Sequence, residues 1–269
     1  MSEVPKDVAD WWRTAIIDMQ PGRISLRGHP IETLIGELSF TEMIWFMLRG
    51  DRPDPAAARL LEAALVAAVD HGPQAPSIAA ARMAVTCGLP LNAAMASAVN
   101  MLGDIHGGAG EQAVELFTAI DAAGGTDAVP GVVADWRAAY GKYLPGFGHR
   151  FHPIDPRAPR LMALVDAEAA IGTVTGRFRR IAETVEEHIS RPDRPVPMNI
   201  DGATAVIYAE LGFHPPLARG LFCLSRSVGI LAHAWEQSCQ GGRNKGPTPP
   251  QYRWTYDDQV MNGDAAKSS

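Results

Sequence analysis

Apolar residues recur along most of the chain at the three-and-four spacing of an amphipathic helix. The run "DPAAARLLEAALVAAVDHG" (54–72) shows this most clearly. Leu60, Leu61, Ala64, Leu65, Ala68 and Val69 share one face, Asp54-Pro55 supplies a cap and first-turn pair, and Gly72 supplies a stop. Alanine-rich runs at 77–88 ("SIAAARMAVTCG") and 91–103 ("LNAAMASAVNMLG") read as helices whose small side chains permit close packing. Segments 157–172, 175–190, 203–212 and 217–237 read as helices too, the second with charge on its outer face. Period-two alternation is nearly confined to "GRISLRG" (22–28), a candidate extended piece. The pattern predicts an all-α fold class. Gly/Pro-rich breaks at 122–131 and 241–250 look like boundaries, and the terminal "NGDAAKSS" is expected to fray.

Composition narrows the function classes. A chain of 269 residues can bury a sizeable core without staples. Its net charge of −6 argues against nucleic acid as the main partner, since phosphate binding needs a basic face. No apolar run approaches the length of a membrane helix, and the acidic start "MSEVPKDVADWWRTA" lacks the apolar stretch of a signal peptide. Cys87, Cys223 and Cys239 are odd in number and match no metal or redox spacing. A cytoplasmic protein with reduced thiols is expected.

Several short motifs carry candidate chemistry, each with an ordinary explanation. "GDIHGGAGEQA" (103–113) resembles a dinucleotide fingerprint on paper, but a helical run precedes it instead of the strand that motif needs. His106 before two glycines is the more useful feature, because glycines let a ligand approach the backbone. His71 in "VDHGP" reads simply as a histidine past a helix end, favoured by the helix dipole. In "GFGHRFHPIDPR" (146–157), His149 follows a small-residue turn, and Asp155-Pro156 looks like a cap opening a helix. Arg157 would then lie in a first turn, where free N–H groups and a guanidinium can hold a carboxylate together. Asp201 in "MNIDGATAVIYAELG" reads as an N-cap or as a base facing a cleft. Arg226, inside an apolar helix, reads as a snorkelling side chain or as an anion ligand. His149 and His152 lack further ligands at metal spacing, so no metal site is expected.

Taken together and in order, these segments resemble the citrate synthase superfamily, over about residues 14–256. "RGHPIETL", "DHGP", "GDIHGGAGE", "PGFGHRFHPIDPR", "NIDG" and "SRSVGILAHAWEQ" carry the resemblance. "DHGP", "NIDG" and Gly202 after the aspartate look most like stand-alone citryl-CoA lyases and the citryl-CoA lyase module of ATP-citrate lyase. His106 is a feature shared with the synthases. The resemblance implies carbon–carbon cleavage of citryl-CoA to acetyl-CoA and oxaloacetate, or the reverse condensation of an acyl-CoA with a 2-oxo acid. It assigns catalytic roles to His106, His149 and Asp201, and substrate carboxylate binding to His71, Arg157 and Arg226. It matches Leu144, Pro145, Gly146, Phe147 and Gly148 to a segment contacting coenzyme A, with Lys142 and Arg150 as weaker candidates for its phosphates. It implies no tightly bound cofactor, the CoA thioester being a substrate, and a homodimer in which Arg243 or Arg253 reaches the partner's site. The alanine-rich helices of 77–102 would face that partner. It implies two helical domains, a large one of 1–106 plus 216–269 and a small one of 107–215, with the site in the cleft between them.

Overall fold

The protein is described by a computed structural model covering residues 6–149, 152–243 and 251–256. Its elements run α1 (Lys6–Trp11), β1 (Ile17–Gln20), β2 (Arg23–Leu26), β3 (His29–Pro30), α2 (Ile31–Leu34), α3 (Phe40–Arg49) and α4 (Pro55–Ala67). They continue with α5 (Pro76–Thr86), α6 (Leu91–Val99), α7 (Ala109–Ala122), a 3-10 turn (Gly125–Ala128) and α8 (Val129–Tyr140). The last four are α9 (Arg157–Ala170), α10 (Arg177–Ile189), α11 (Ile200–Glu210) and α12 (Pro215–Gln240). The fold is helical, and the expected extended piece is β2, the middle strand of a small antiparallel sheet of order β1-β2-β3. Ile17 pairs with Leu26 and Ser25 with Pro30. Helices α3, α7 and α8 are not among the elements anticipated from periodicity. Among the described residues no helix is long and apolar enough to cross a membrane.

Helix α11 lies at the centre. Nine of its residues, from Ile200 to Ala209 without Asp201, are buried, as a helix apolar on every side must be. Helices α4, α7, α9 and α10 surround it. Their apolar faces, with α3 and the start of α12, form one core around Phe117, Ile120, Ile181 and Ile207. A second, smaller core joins α5 and α6 to the end of α12 through Ile78, Ala81, Ala94, Ala98, Ile230 and Ala234. The 26 residues of α12, about 39 Å long at the helical rise, touch both cores. The break expected at 122–131 contains a 3-10 turn at the surface joining α7 to α8, flanked by the core residues Ile120 and Val129.

Local signals set several helix ends. Ser39 and Glu42 form a reciprocal capping box on α3. Asp54 accepts from the Ala56 N–H and Pro55 opens α4, as the sequence indicates. One end is misplaced by sequence reasoning: α4 stops at Ala67, not at Gly72. Residues 68–72 form a turn instead, held by contacts from α12 described below.

Candidate active site

Four loops or helix starts bring the expected residues together. The first is the turn after α4, which presents His71 next to His149, with ring centroids 5.6 Å apart. The second is the loop before α7. Gly107 adopts φ +99° there, and a Cβ on Gly108 would sit 2.5 Å from the Asp104 carbonyl oxygen, so the loop closes tightly around His106. The His106 ring reaches the start of α5, where its Nε2 lies 3.1 Å from the Ser77 N–H and 3.0 Å from the Ser77 hydroxyl. A backbone N–H can only donate, so Nε2 accepts and the neutral ring carries its proton on Nδ1. Burial first, and the Arg226 charge second, hold the His106 pKa below the usual value and keep the ring neutral.

The third loop carries "LPGFGH". It zips against residues 197–202: the Gly148 N–H donates to the Pro197 carbonyl (2.7 Å) and the Asn199 N–H to Gly146 (2.9 Å). The Asn199 side-chain amide donates to Gly148 (2.6 Å). Gly146, at φ +85°, lies against Gly202 with no room for a side chain on either; a Cβ on Gly202 would meet the Gly146 oxygen at 2.4 Å. This backbone contact fixes His149 relative to Asp201. The His149 Nδ1 accepts from the His152 N–H at 3.1 Å, which puts the proton of its neutral ring on Nε2. Its pKa lies below the usual value, chiefly through burial, with His152 and Arg157 adding to the effect against Asp155. His71 is lowered likewise, by burial and then by Arg157 and Arg226.

The fourth is the start of α11. Its N-cap is Asn199, whose side chain accepts from the Asp201 and Gly202 N–H groups. The capping reading of Asp201 is therefore corrected: a cap accepts the helix's first free N–H groups, and Asn199 already does so. Among the described residues the Asp201 carboxylate accepts no hydrogen bond. Its pKa is raised, because burial outweighs the attraction of Arg226 and Arg157. A carboxyl group in that state binds a proton readily and gives it up to a nearby carbanion, the property a general acid/base needs.

The arginines frame the site from two sides. Arg226 is buried, with Nε donating to the Ala68 carbonyl (3.2 Å) and the guanidinium over the Phe222 ring (4.8 Å). Its charge bears on His71, His106 and Asp201 alike. Arg157 is the first residue of α9; Pro156 holds the N-cap position without a side-chain bond, and the Asp155 carboxylate, one position earlier, accepts the first helical N–H. Asp155 is a residue whose role sequence reasoning missed. At 1% exposure it accepts from Arg157 Nε (2.9 Å), Nη2 (2.8 Å) and backbone N–H (3.1 Å), and from the Ile200 N–H (3.1 Å). Burial alone would raise its pKa, but the bonds from Arg157 and Ile200 prevail and hold it below the usual carboxylate value. One buried carboxylate thus ties the Arg157 clamp to the helix that carries Asp201. The only sequence signal was its place beside Pro156.

A groove of about 770 Å³ has His149 in its lining. Arg137, Lys142, Arg191 and Arg194 line it together with Leu144, Phe147 and Gly148, and its described lining holds no acidic residue. Arg137, Arg191 and Arg194 were not singled out from sequence, because Arg137 stands nine positions before "GFGH", Arg191 and Arg194 stand 42 and 45 positions after it, and none lies in a motif. Arg191 and Arg194 come together in a tight turn, exchanging backbone hydrogen bonds of 3.1 and 2.9 Å. Of the expected CoA-contact residues, Pro145 borders a separate cavity with Asp104 and Arg219, and Arg150 lies outside the described residues. Lys142 packs its ammonium over Tyr143 at 4.9 Å. Arg243 and Arg253 are exposed.

Comparison with known proteins identifies the family and the fold. The sequence profile described as "Citrate synthase, C-terminal domain" matches residues 23–248. The solved citryl-CoA lyase of Hydrogenobacter thermophilus is 31% identical, with a TM-score of 0.81 covering 91% of this chain and 95% of that one. The ATP citrate lyase of Methanothrix soehngenii, solved with citrate and coenzyme A, shares the fold at a TM-score of 0.81 and 20% identity, over 96% of this chain and 43% of that one. A citrate synthase from Acidithiobacillus ferridurans is 28% identical over 216 residues, 79% of this chain and 55% of that protein. The chain spans about half the length of the curated relatives it matches.

Proposed function

Because the chain belongs to the citrate synthase family, we propose that it is a citryl-CoA lyase-type enzyme that cleaves citryl-CoA into acetyl-CoA and oxaloacetate. One observation carries the reading. Two neutral imidazoles with opposite tautomers, His106 with its proton on Nδ1 and His149 on Nε2, accompany an Asp201 whose proton affinity burial raises, beside Arg157 and Arg226.

In cleavage, the citryl hydroxyl gives up its proton as its carbon becomes the oxaloacetate carbonyl. His149 takes that proton on Nε2 once its own ring proton has moved to Nδ1; in the tautomer with the proton on Nε2 it donates to the oxaloacetate carbonyl instead. The bond to the thioester α-carbon breaks, and its electron pair passes into the thioester as an enol or enolate. The His106 Nδ1–H donates to the thioester oxygen where this charge develops, an interaction worth several kcal/mol in a site shielded from water. Protonated Asp201 then delivers its proton to the α-carbon, giving acetyl-CoA. Arg157, Arg226 and His71 hold the oxo-acid carboxylates, the arginines with the planar donor edge suited to them. The groove with Arg137, Lys142, Arg191 and Arg194 suits the CoA phosphates, with "LPGFG" beside the adenine.

The likeness to citryl-CoA lyase, which extends over nearly all of both chains, favours cleavage. The second reading is condensation with release of citrate, favoured by the matches to citrate synthases. In either direction we place the site between a large domain (1–106 with 216–269) and a small one (107–215), in a cytoplasmic homodimer. The apolar side chains exposed on α12, Leu224, Val228 and Trp235, suit such a partner. The two directions separate on incubation. Citryl-CoA should yield oxaloacetate and acetyl-CoA, while acetyl-CoA with oxaloacetate should yield little free thiol or citrate. Rapid release of CoA thiol and citrate from the second mixture would establish the synthase instead.

A further inference from the structure

Three residues on one face of α12 meet three consecutive residues just past the end of α4, in order. Arg226 Nε donates to the Ala68 carbonyl at 3.2 Å. Gly229 lies so close to the next peptide that a Cβ on it would fall 2.2 Å from the Val69 oxygen. His233 Nε2 lies 3.1 Å from Asp70 Oδ1. Spacings of three and four put 226, 229 and 233 along one stripe of the helix. Just before it, the Ser225 hydroxyl donates to the Leu65 carbonyl. The next residue of the gripped segment is His71.

The far end of this zipper is also anchored. Arg82 Nη1 lies 3.3 Å from His233 Nδ1, and Arg82 is itself paired with Glu236 (2.6 Å) and Gln240 (2.9 Å). A guanidinium can only donate, so His233 Nδ1 accepts and Nε2–H is left to donate to Asp70. Asp70 uses its second oxygen to accept from the Gly72 N–H at 3.2 Å. The peptide carrying His71 is therefore held from both sides by one carboxylate, and that carboxylate is held by His233.

We propose that His233 is a positioning residue for oxo-acid binding: through Asp70 it fixes the 69–72 turn and so the place of the His71 ring. This rests on the reading of His71 as a carboxylate ligand. A purely structural His233 would affect stability and leave oxo-acid affinity unchanged.

The test uses the full chain with four substitutions, His71→Ala, His233→Ala, His233→Gln and Asp70→Asn. Calorimetry gives the Kd for oxaloacetate, citryl-CoA cleavage gives kcat, and thermal unfolding reports integrity. His71→Ala should weaken oxaloacetate binding by roughly tenfold or more, and His233→Ala and Asp70→Asn should reproduce most of that loss. His233→Gln, whose amide can still donate to Asp70, should return the Kd to within about threefold of the parent. The proposal is overturned if His71→Ala weakens binding while His233→Ala and Asp70→Asn bind as the parent does; the role of His71 then survives. If His71→Ala binds normally, the site reading itself fails and the positioning role with it. Should His233→Ala not fold, the contrast between Asp70→Asn and His233→Gln decides the matter.

Discussion

Substituting Gly202 by alanine strikes the contact that fixes His149 against Asp201. The new Cβ would lie 2.4 Å from the Gly146 oxygen, 2.7 Å from Met198 Cγ and 3.1 Å from the Gly146 carbonyl carbon. Ordinary contact needs about 3.4 Å or more, so the two backbones must part by about 1 Å. Met198 can turn aside, but the peptide oxygen cannot, because it accepts from the Asn199 N–H. Overpacking of this kind costs about 1–3 kcal/mol, and a lost backbone hydrogen bond adds about 1 kcal/mol. A stability loss of about 2–4 kcal/mol is expected from urea unfolding. A 1 Å displacement between reacting groups costs on the order of 100-fold in rate, so kcat for citryl-CoA cleavage should fall by about that factor. Gly110→Ala is the control, since nothing lies within 4 Å of its added Cβ and its place in the first turn of α7 accepts alanine without loss of stability. If Gly202→Ala kept both its unfolding midpoint in urea and its kcat, the backbone latch would not be what sets the geometry of the site.

Asp201→Asn should lower turnover by about 10²–10⁴-fold while leaving calorimetric binding of coenzyme A intact. The same variant should unfold at higher denaturant at pH 7. The raised pKa means the folded chain holds its proton more tightly than the unfolded one, so ionisation above the usual 3.8 costs stability that asparagine does not lose. A variant with full activity would refute the role of Asp201. The histidines impose the opposite dependence. His71, His106 and His149 all lie below the usual 6.5, burial being the first cause in each, so the unfolded chain binds protons that these rings refuse. Stability should fall as pH drops through 6.5 towards the folded values and level off below them. Urea unfolding of Asp201→Asn, which lacks the opposing contribution of that carboxyl, followed from pH 7.5 to 5.5 checks this, and stability that rises on acidification across that range would contradict it.

Much of the site was legible in the chain because its chemistry is carried by residues with few substitutes. His106, His149, Asp201, Arg157 and Arg226 stand in short motifs, and apolar periodicity predicts the helices that carry Arg157, Asp201 and Arg226. Periodicity did not reveal where helices end or which polar group satisfies which. The end of α4 at Ala67 is set by Arg226, Gly229 and His233, more than 150 positions away. Likewise the cap on α10 comes from Glu210, whose carboxylate accepts from the Gly176 and Phe178 N–H groups. The work of Asp155 and the fit of Gly146 against Gly202 are equally invisible in one dimension, because each depends on a contact between separate segments. The sequence by itself determined the helical class, the family and the chemical groups available, since these follow from local pattern and side-chain type. Only the tertiary structure decided the tautomers, the neighbours that shift each proton affinity and the register of the loops. Those properties are set by distances of a few ångströms between residues that the chain order keeps far apart.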